Sequence, residues 1–193
     1  MVNNIEMEEV KKPLSMNPKK FILWLLIVSI MMFFVALTSA YIVKQSDGNW
    51  LEYDMPMIFW YSTIIILLSS ATMHWAYLAA KKDNLPQLKL ALSITTVLGL
   101  SFLYSQWAGW GQLVDMGVYL VGNQTSGSFF YIITGAHGLH IISGVLFLII
   151  VLISTYQYKV HSKEMNQLEI CMTFWHFLGV LWVYLFLFLL LNQ

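Results

Sequence analysis

Five histidines and very few acids are the groups in this chain with the means to do chemistry. His137 and His140 stand three residues apart within the run Thr134-Gly-Ala-His-Gly-Leu-His140, a spacing that places both imidazoles on one helix face. His176 follows Trp175 in a second apolar run, Glu169 stands at the start of that run, and His74 precedes Trp75 in a third. Two imidazoles on facing helices are enough to ligate a haem iron. If the two runs cross the membrane in opposite directions, His140 and His176 lie within about 5 Å of one another in depth. A metal centre normally adds a third ligand, and no further histidine or carboxylate falls at matching depth. The alternative is that these imidazoles hydrogen-bond across helices or reach lipid headgroups, and both readings stay open on the residues alone.

Proton transfer through a membrane needs carboxylates or similar groups deep in the bilayer. The ten acids are all elsewhere: Glu6, Glu8 and Glu9 precede the first apolar run, Asp47, Glu52, Asp54, Asp83 and Asp115 fall in loops, and Glu164 and Glu169 sit at a boundary. The chain alone therefore supplies no proton relay. At Glu169 two readings stand, a proton-collecting or partner-pairing interfacial group and a solvated helix N-terminus favoured by the dipole. The one cysteine, Cys171, lies in an apolar run and reads as a buried thiol behaving as a small hydrophobe; a disulfide framework is excluded. The residues thus predict no catalytic, cofactor-binding or metal site within this chain.

The elements that must position these groups are membrane helices. Hydrophobic residues make up 59% of the 193 positions and charged residues 10%, with a mean hydropathy of +0.68. A soluble domain carries about 25% charge, so this surface is suited to lipid. Net charge is zero, which leaves no basic footprint for nucleic acid. The expected fold is an all-α integral membrane protein, a bundle of five transmembrane helices spanning 21–43, 57–80, 88–113, 127–155 and 170–191. Residues 1–20 read as a short polar cytoplasmic arm and 21–193 as one membrane domain. The first span follows a polar leader and outruns the apolar stretch of a signal peptide.

All ten basic residues are lysines. Lys11, Lys12, Lys19, Lys20, Lys81, Lys82, Lys89, Lys159 and Lys163 fall on one side of the predicted membrane and only Lys44 on the other, which puts the N-terminus in the cytoplasm and the C-terminus outside. Trp50, Trp60, Trp107 and Trp110 fall near the outer boundary. Small residues mark where helices approach closely: Gly135, Gly138, Ser143 and Gly144 in the fourth span, and Ser69, Ser70 and Ala71 in the second. No inverted pair of broken helices occurs, which disfavours a transporter.

Three stretches resemble subunit III of the haem–copper terminal oxidases, the cytochrome c oxidase subunit 3 family. They are Ile94-Thr-Thr-Val-Leu-Gly-Leu-Ser-Phe102 followed by Gln106, the run from Gly127 to Gly144 with its Phe-Phe, Thr-Gly and His-Gly-Leu-His elements, and Leu168-Glu-Ile-Cys-Met-Thr-Phe-Trp-His-Phe-Leu-Gly-Val-Leu-Trp182. Their order and separation match as well. The resemblance implies the five-helix form of the family, lacking the first two helices of the seven-span form. It departs where the family often carries acids: Ser29-Ile30 in place of Ser-Glu, and Gly109 and Gly179 where acids are common. Proton roles that depend on those acids are not carried over.

The resemblance implies a non-catalytic accessory role in a proton-pumping oxidase that reduces oxygen to water. Haem and copper are then expected in partner subunits, with none in this chain, and bound phospholipid with it. The expected partners are the catalytic subunit I and subunit II, with a subunit IV and a larger respiratory supercomplex beyond them, in a bacterial inner membrane. Cytochrome c is the expected donor; a quinol oxidase or the accessory subunit of a nitric oxide reductase is the alternative, and an independent bis-histidine cytochrome is the remaining one. By resemblance, His137, His140, Glu169, Trp175 and His176 are expected at a polar cluster facing lipid or a partner subunit.

Overall fold

The computed structural model describes residues 17–46, 53–121, 125–157 and 165–192. They form five helices: α1 (Pro18–Gln45), α2 (Ile58–Lys81), α3 (Leu85–Asp115), α4 (Thr125–Tyr156) and α5 (Asn166–Leu191). Each is long and apolar enough to cross a membrane. Trp50, Lys11, Lys12, Lys159, Lys163 and Glu164 lie outside the described residues.

The helices overrun the apolar spans at most ends because the capping residues lie in the polar flanks. Asn17 accepts from the Lys19 amide at 3.1 Å with Pro18 in the first turn, so α1 starts three residues before Phe21. Asn84 accepts from the Gln87 amide at 3.2 Å and Pro86 occupies the first turn of α3. The reversal between α2 and α3 needs only Lys82, Asp83 and Asn84, with Asp83 taking a left-handed φ of 51°. Aspartate tolerates that conformation better than most side chains.

α2, α3, α4 and α5 close a ring in which each packs on the next and α5 returns to α2; α1 stands outside the ring, against α4 and α5 only. Its buried positions, Leu23, Ile27, Ile30, Phe34, Thr38 and Tyr41, recur every three or four residues and make one stripe. The rest of α1 is apolar and exposed, including Ile22, Val28, Met32 and Val43, as lipid contact requires. At one end of the bundle Lys20, Lys81 and Lys89 gather, the latter two over the rings of Tyr77 at 4.7 Å and Tyr156 at 4.9 Å. Tyr53, in the segment before α2, packs on Phe130, and burial pushes its hydroxyl above the ordinary range.

Candidate functional site

The five positions singled out by resemblance separate into an inner group and an outer group. His137 and Trp175 are enclosed by this chain, at 0% and 1% exposure. In this chain neither reaches the surface, whereas the expectation placed all five at a polar cluster facing lipid or a partner subunit. The reason is the ring: α4 and α5 meet along the side of each helix that carries these residues. His140, His176 and Glu169 remain partly exposed.

Trp175 shows how the local sequence makes its place. Gly99 of α3 and Gly144 of α4 present bare backbone to the indole. A Cβ on Gly99 would lie 2.7 Å from Trp175 Cη2, and one on Gly144 would lie 2.9 Å from Leu178 Cδ1 and 3.2 Å from the indole. The indole Nε1 donates to Ser69 Oγ at 3.0 Å, tying α5 to α2. Trp182 repeats the pattern two turns on, donating to Thr63 Oγ1 at 3.0 Å, and Trp110 joins α3 to α4 through Thr134 Oγ1 at 3.1 Å. Hydrogen bonds of this kind fasten helices in lipid, where hydrophobicity does not favour one apolar neighbour over another.

His137 is fully enclosed among α1, α3, α4 and α5. Its ring packs against Phe34 of α1, Phe102 of α3 and Trp182 of α5, with centroids 6.3, 6.1 and 5.3 Å away. His140, on the same face, borders Phe34 at 5.6 Å and donates Nδ1–H to the Ala136 carbonyl at 2.7 Å. His176 faces α2 instead: its Nδ1 pairs with Ser70 Oγ, and its ring lies 6.3 Å from that of His74. The two histidines of the bis-histidine reading thus have different neighbours, α1 for one and α2 for the other. Among the described residues no group of three or more His, Cys, Asp or Glu side chains is placed to hold a metal ion.

Glu169 pairs with Lys20 at 2.6 Å, joining the N-terminal ends of α1 and α5. Both side chains keep considerable exposure, 31% and 42%, so the pair is worth at most about 1 kcal/mol. Glu169→Gln is accordingly expected to shift unfolding of the solubilised chain by no more than that, a small change measurable by detergent titration. A much larger loss would mean that the carboxylate is engaged by something besides Lys20.

The glycines differ in what they face. Gly144 meets α5; Gly135 looks into an apolar groove of about 680 Å³ between α3 and α4, lined by Trp107, Trp110 and Tyr131 among others; a Cβ on Gly138 would meet nothing within 4 Å. Gly109 admits the Phe59 ring, which a Cβ would approach to 2.6 Å. The sequence reading missed the interlocking roles of Gly99, Thr63, Ser62 and Trp182. Only the pairing of indoles with hydroxyl residues at similar depths hinted at them.

Comparison with known proteins agrees with this architecture. A family model described as "Cytochrome c oxidase subunit III" matches residues 49–192. A protein of Nocardia farcinica named "Probable cytochrome c oxidase subunit 3" is 31% identical over 175 residues, covering 86% of this chain and 82% of the relative. The "Cytochrome c oxidase subunit 3" of Spodoptera frugiperda is 31% identical over 135 residues, 70% of this chain and 87% of the relative. That of Pelomedusa subrufa is 31% identical over 135 residues, so the chain spans about half (49%) of that relative's length. A multi-pass helical membrane protein with a family match over most of its length, the chain belongs to the cytochrome c oxidase subunit III family.

Proposed function

We propose that this chain is a non-catalytic accessory subunit of a proton-pumping respiratory oxidase, one that reduces oxygen to water with cytochrome c as donor. The family match over 49–192 is the observation that carries the reading. The arrangement of the side chains supports it: the buried imidazole is caged by aromatic rings, and several of the other polar groups fasten one helix to another. The chain packs on the catalytic subunit I beside subunit II, within a complex that extends to a subunit IV and a supercomplex. It holds phospholipid along its exposed apolar faces and supports proton uptake and stability in its neighbour. Haem and copper belong to those partners, and this chain takes neither. His140, His176 and Glu169 serve at the lipid or subunit boundary, and Gly135 and Gly138 leave room for an outside helix or acyl chain. The lysine-rich end faces the cytoplasm, in a bacterial inner membrane.

A quinol oxidase or a nitric oxide reductase would use the same accessory bundle, because the donor site belongs to other subunits. Gentle solubilisation separates these readings from independence. The chain is expected to co-migrate with a haem- and copper-containing subunit, whose spectrum and donor preference then assign the complex. Recovery of the chain alone, with turnover of its own, would contradict the accessory role.

A further inference from the structure

Two buried polar groups on facing helices have no partner. Neither ring nitrogen of His137 meets a hydrogen-bond partner, and neither does Gln106 Oε1. Both residues are enclosed, at 0% and 4% exposure. An imidazole always carries at least one N–H, and an orphaned polar group in a membrane core is costly to keep. Two such groups left separately unsatisfied would be an expensive pair to keep at the centre of a bundle.

The register brings them together. Trp110 of α3 bonds Thr134 of α4, and Phe102 of α3 packs on His137 of α4, so the two helices run antiparallel with Gln106 between the levels of Thr134 and His137. Helical side chains lean towards their own N-terminus. Gln106 therefore leans towards the level of His137, and His137 leans towards the level of Gln106. The amide end of Gln106 is already oriented, since its Nε2 donates to Ser62 Oγ at 3.0 Å and Ser62 donates to the Phe59 carbonyl at 2.9 Å. Its Oε1 is then a buried acceptor left without a partner.

The geometry points to an internal water site between Gln106 Oε1 and the His137 ring, completing a polar network from Ser62 through Gln106 to His137 across α2, α3 and α4. The α3–α4 contacts on either side place the two residues within about one helical turn of each other in depth. That separation suits a single bridging molecule, which donates to Gln106 Oε1 and accepts from the imidazole N–H. Buried water of this kind occupies polar sites where it makes two or more hydrogen bonds. The Phe34, Phe102 and Trp182 rings seal the imidazole from lipid.

The test uses the full chain in lipid bilayers with 15N-labelled histidine. Water-edited solid-state NMR is expected to show early magnetisation transfer from water to the His137 ring, and Gln106→Leu is expected to abolish that transfer. A signal that transfers no faster than the lipid-facing methyl groups would overturn the water site. So would a direct coupling between the His137 ring nitrogen and the Gln106 side chain. Thermal unfolding supplies a second readout that does not require assigned spectra. His137→Leu and Gln106→Leu are expected to lower the midpoint individually, while the double variant falls no further than the worse single one. His137→Asn, which keeps a group able to hold water, should recover part of the loss. Additive losses, or no recovery with asparagine, would count against the bridge.

Discussion

Trp175→Ala is expected to cost this chain about 2 kcal/mol or more of stability, read as an earlier midpoint when the bilayer- or micelle-embedded protein is titrated with denaturing detergent. Truncating a buried Trp in a water-soluble core costs about 3–5 kcal/mol. In lipid part of that figure disappears, because separated helices keep their apolar surface in hydrocarbon; what remains is packing and hydrogen bonding. Trp175 loses much of both. Its indole fills the space left by Gly99 and Gly144 and donates to Ser69, so alanine opens a cavity at the meeting of α2, α3, α4 and α5 and strips Ser69 of its donor. Trp107→Ala is the control, since that side chain is 75% exposed; a shift within about 0.5 kcal/mol is expected there. Equal effects at both positions would refute the assignment of Trp175 to the keystone position.

A second pair of substitutions distinguishes contacts inside the chain from contacts outside it. Gly144→Leu forces a side chain against Leu178 and the Trp175 ring. Overpacking of this kind costs about 1–3 kcal/mol, and the solubilised chain is expected to unfold early wherever it is measured. A Cβ on Gly138 meets nothing within 4 Å, so Gly138→Leu is expected to leave the stability of the lone chain nearly unchanged while weakening its retention in the purified complex. Such a split, intact alone but lost from the assembly, would identify the Gly138 face as an intersubunit surface. Full retention of the Gly138→Leu subunit would remove that face from the interface.

The contrast between these glycines also shows where sequence reasoning reached its end. The spans were legible because length, hydropathy and capping residues agree locally: Asn17 with Pro18 and Asn84 with Pro86 announce their helices whatever the neighbours do. The facing of each helix was less so. Gly135, Gly138 and Gly144 all read as packing residues, but one faces a groove, one would bring a Cβ within 4 Å of nothing among the described residues and one meets α5. Which it is depends on where α3 and α5 stand, and no spacing within α4 encodes that. The same holds for His137 and His140, which share a face by periodicity yet differ in enclosure because α5 and α3 cover only the first. The indole–hydroxyl pairs are non-local by nature: Trp182 and Thr63 are 119 residues apart, and only the closed ring of helices brings them together.

That ring also explains why the chain suits a supporting role. Several of its inward polar groups tie one helix to another, and its outward surface is largely apolar, so what it offers a neighbour is shape, lipid contact and a fixed position. Iron, copper and haem analysis of the purified full chain in bilayers, separated from every companion subunit, tests this most directly. The account predicts no stoichiometric metal and no Soret band. A bound haem in the lone chain, lost on His140→Ala or His176→Ala, would contradict it.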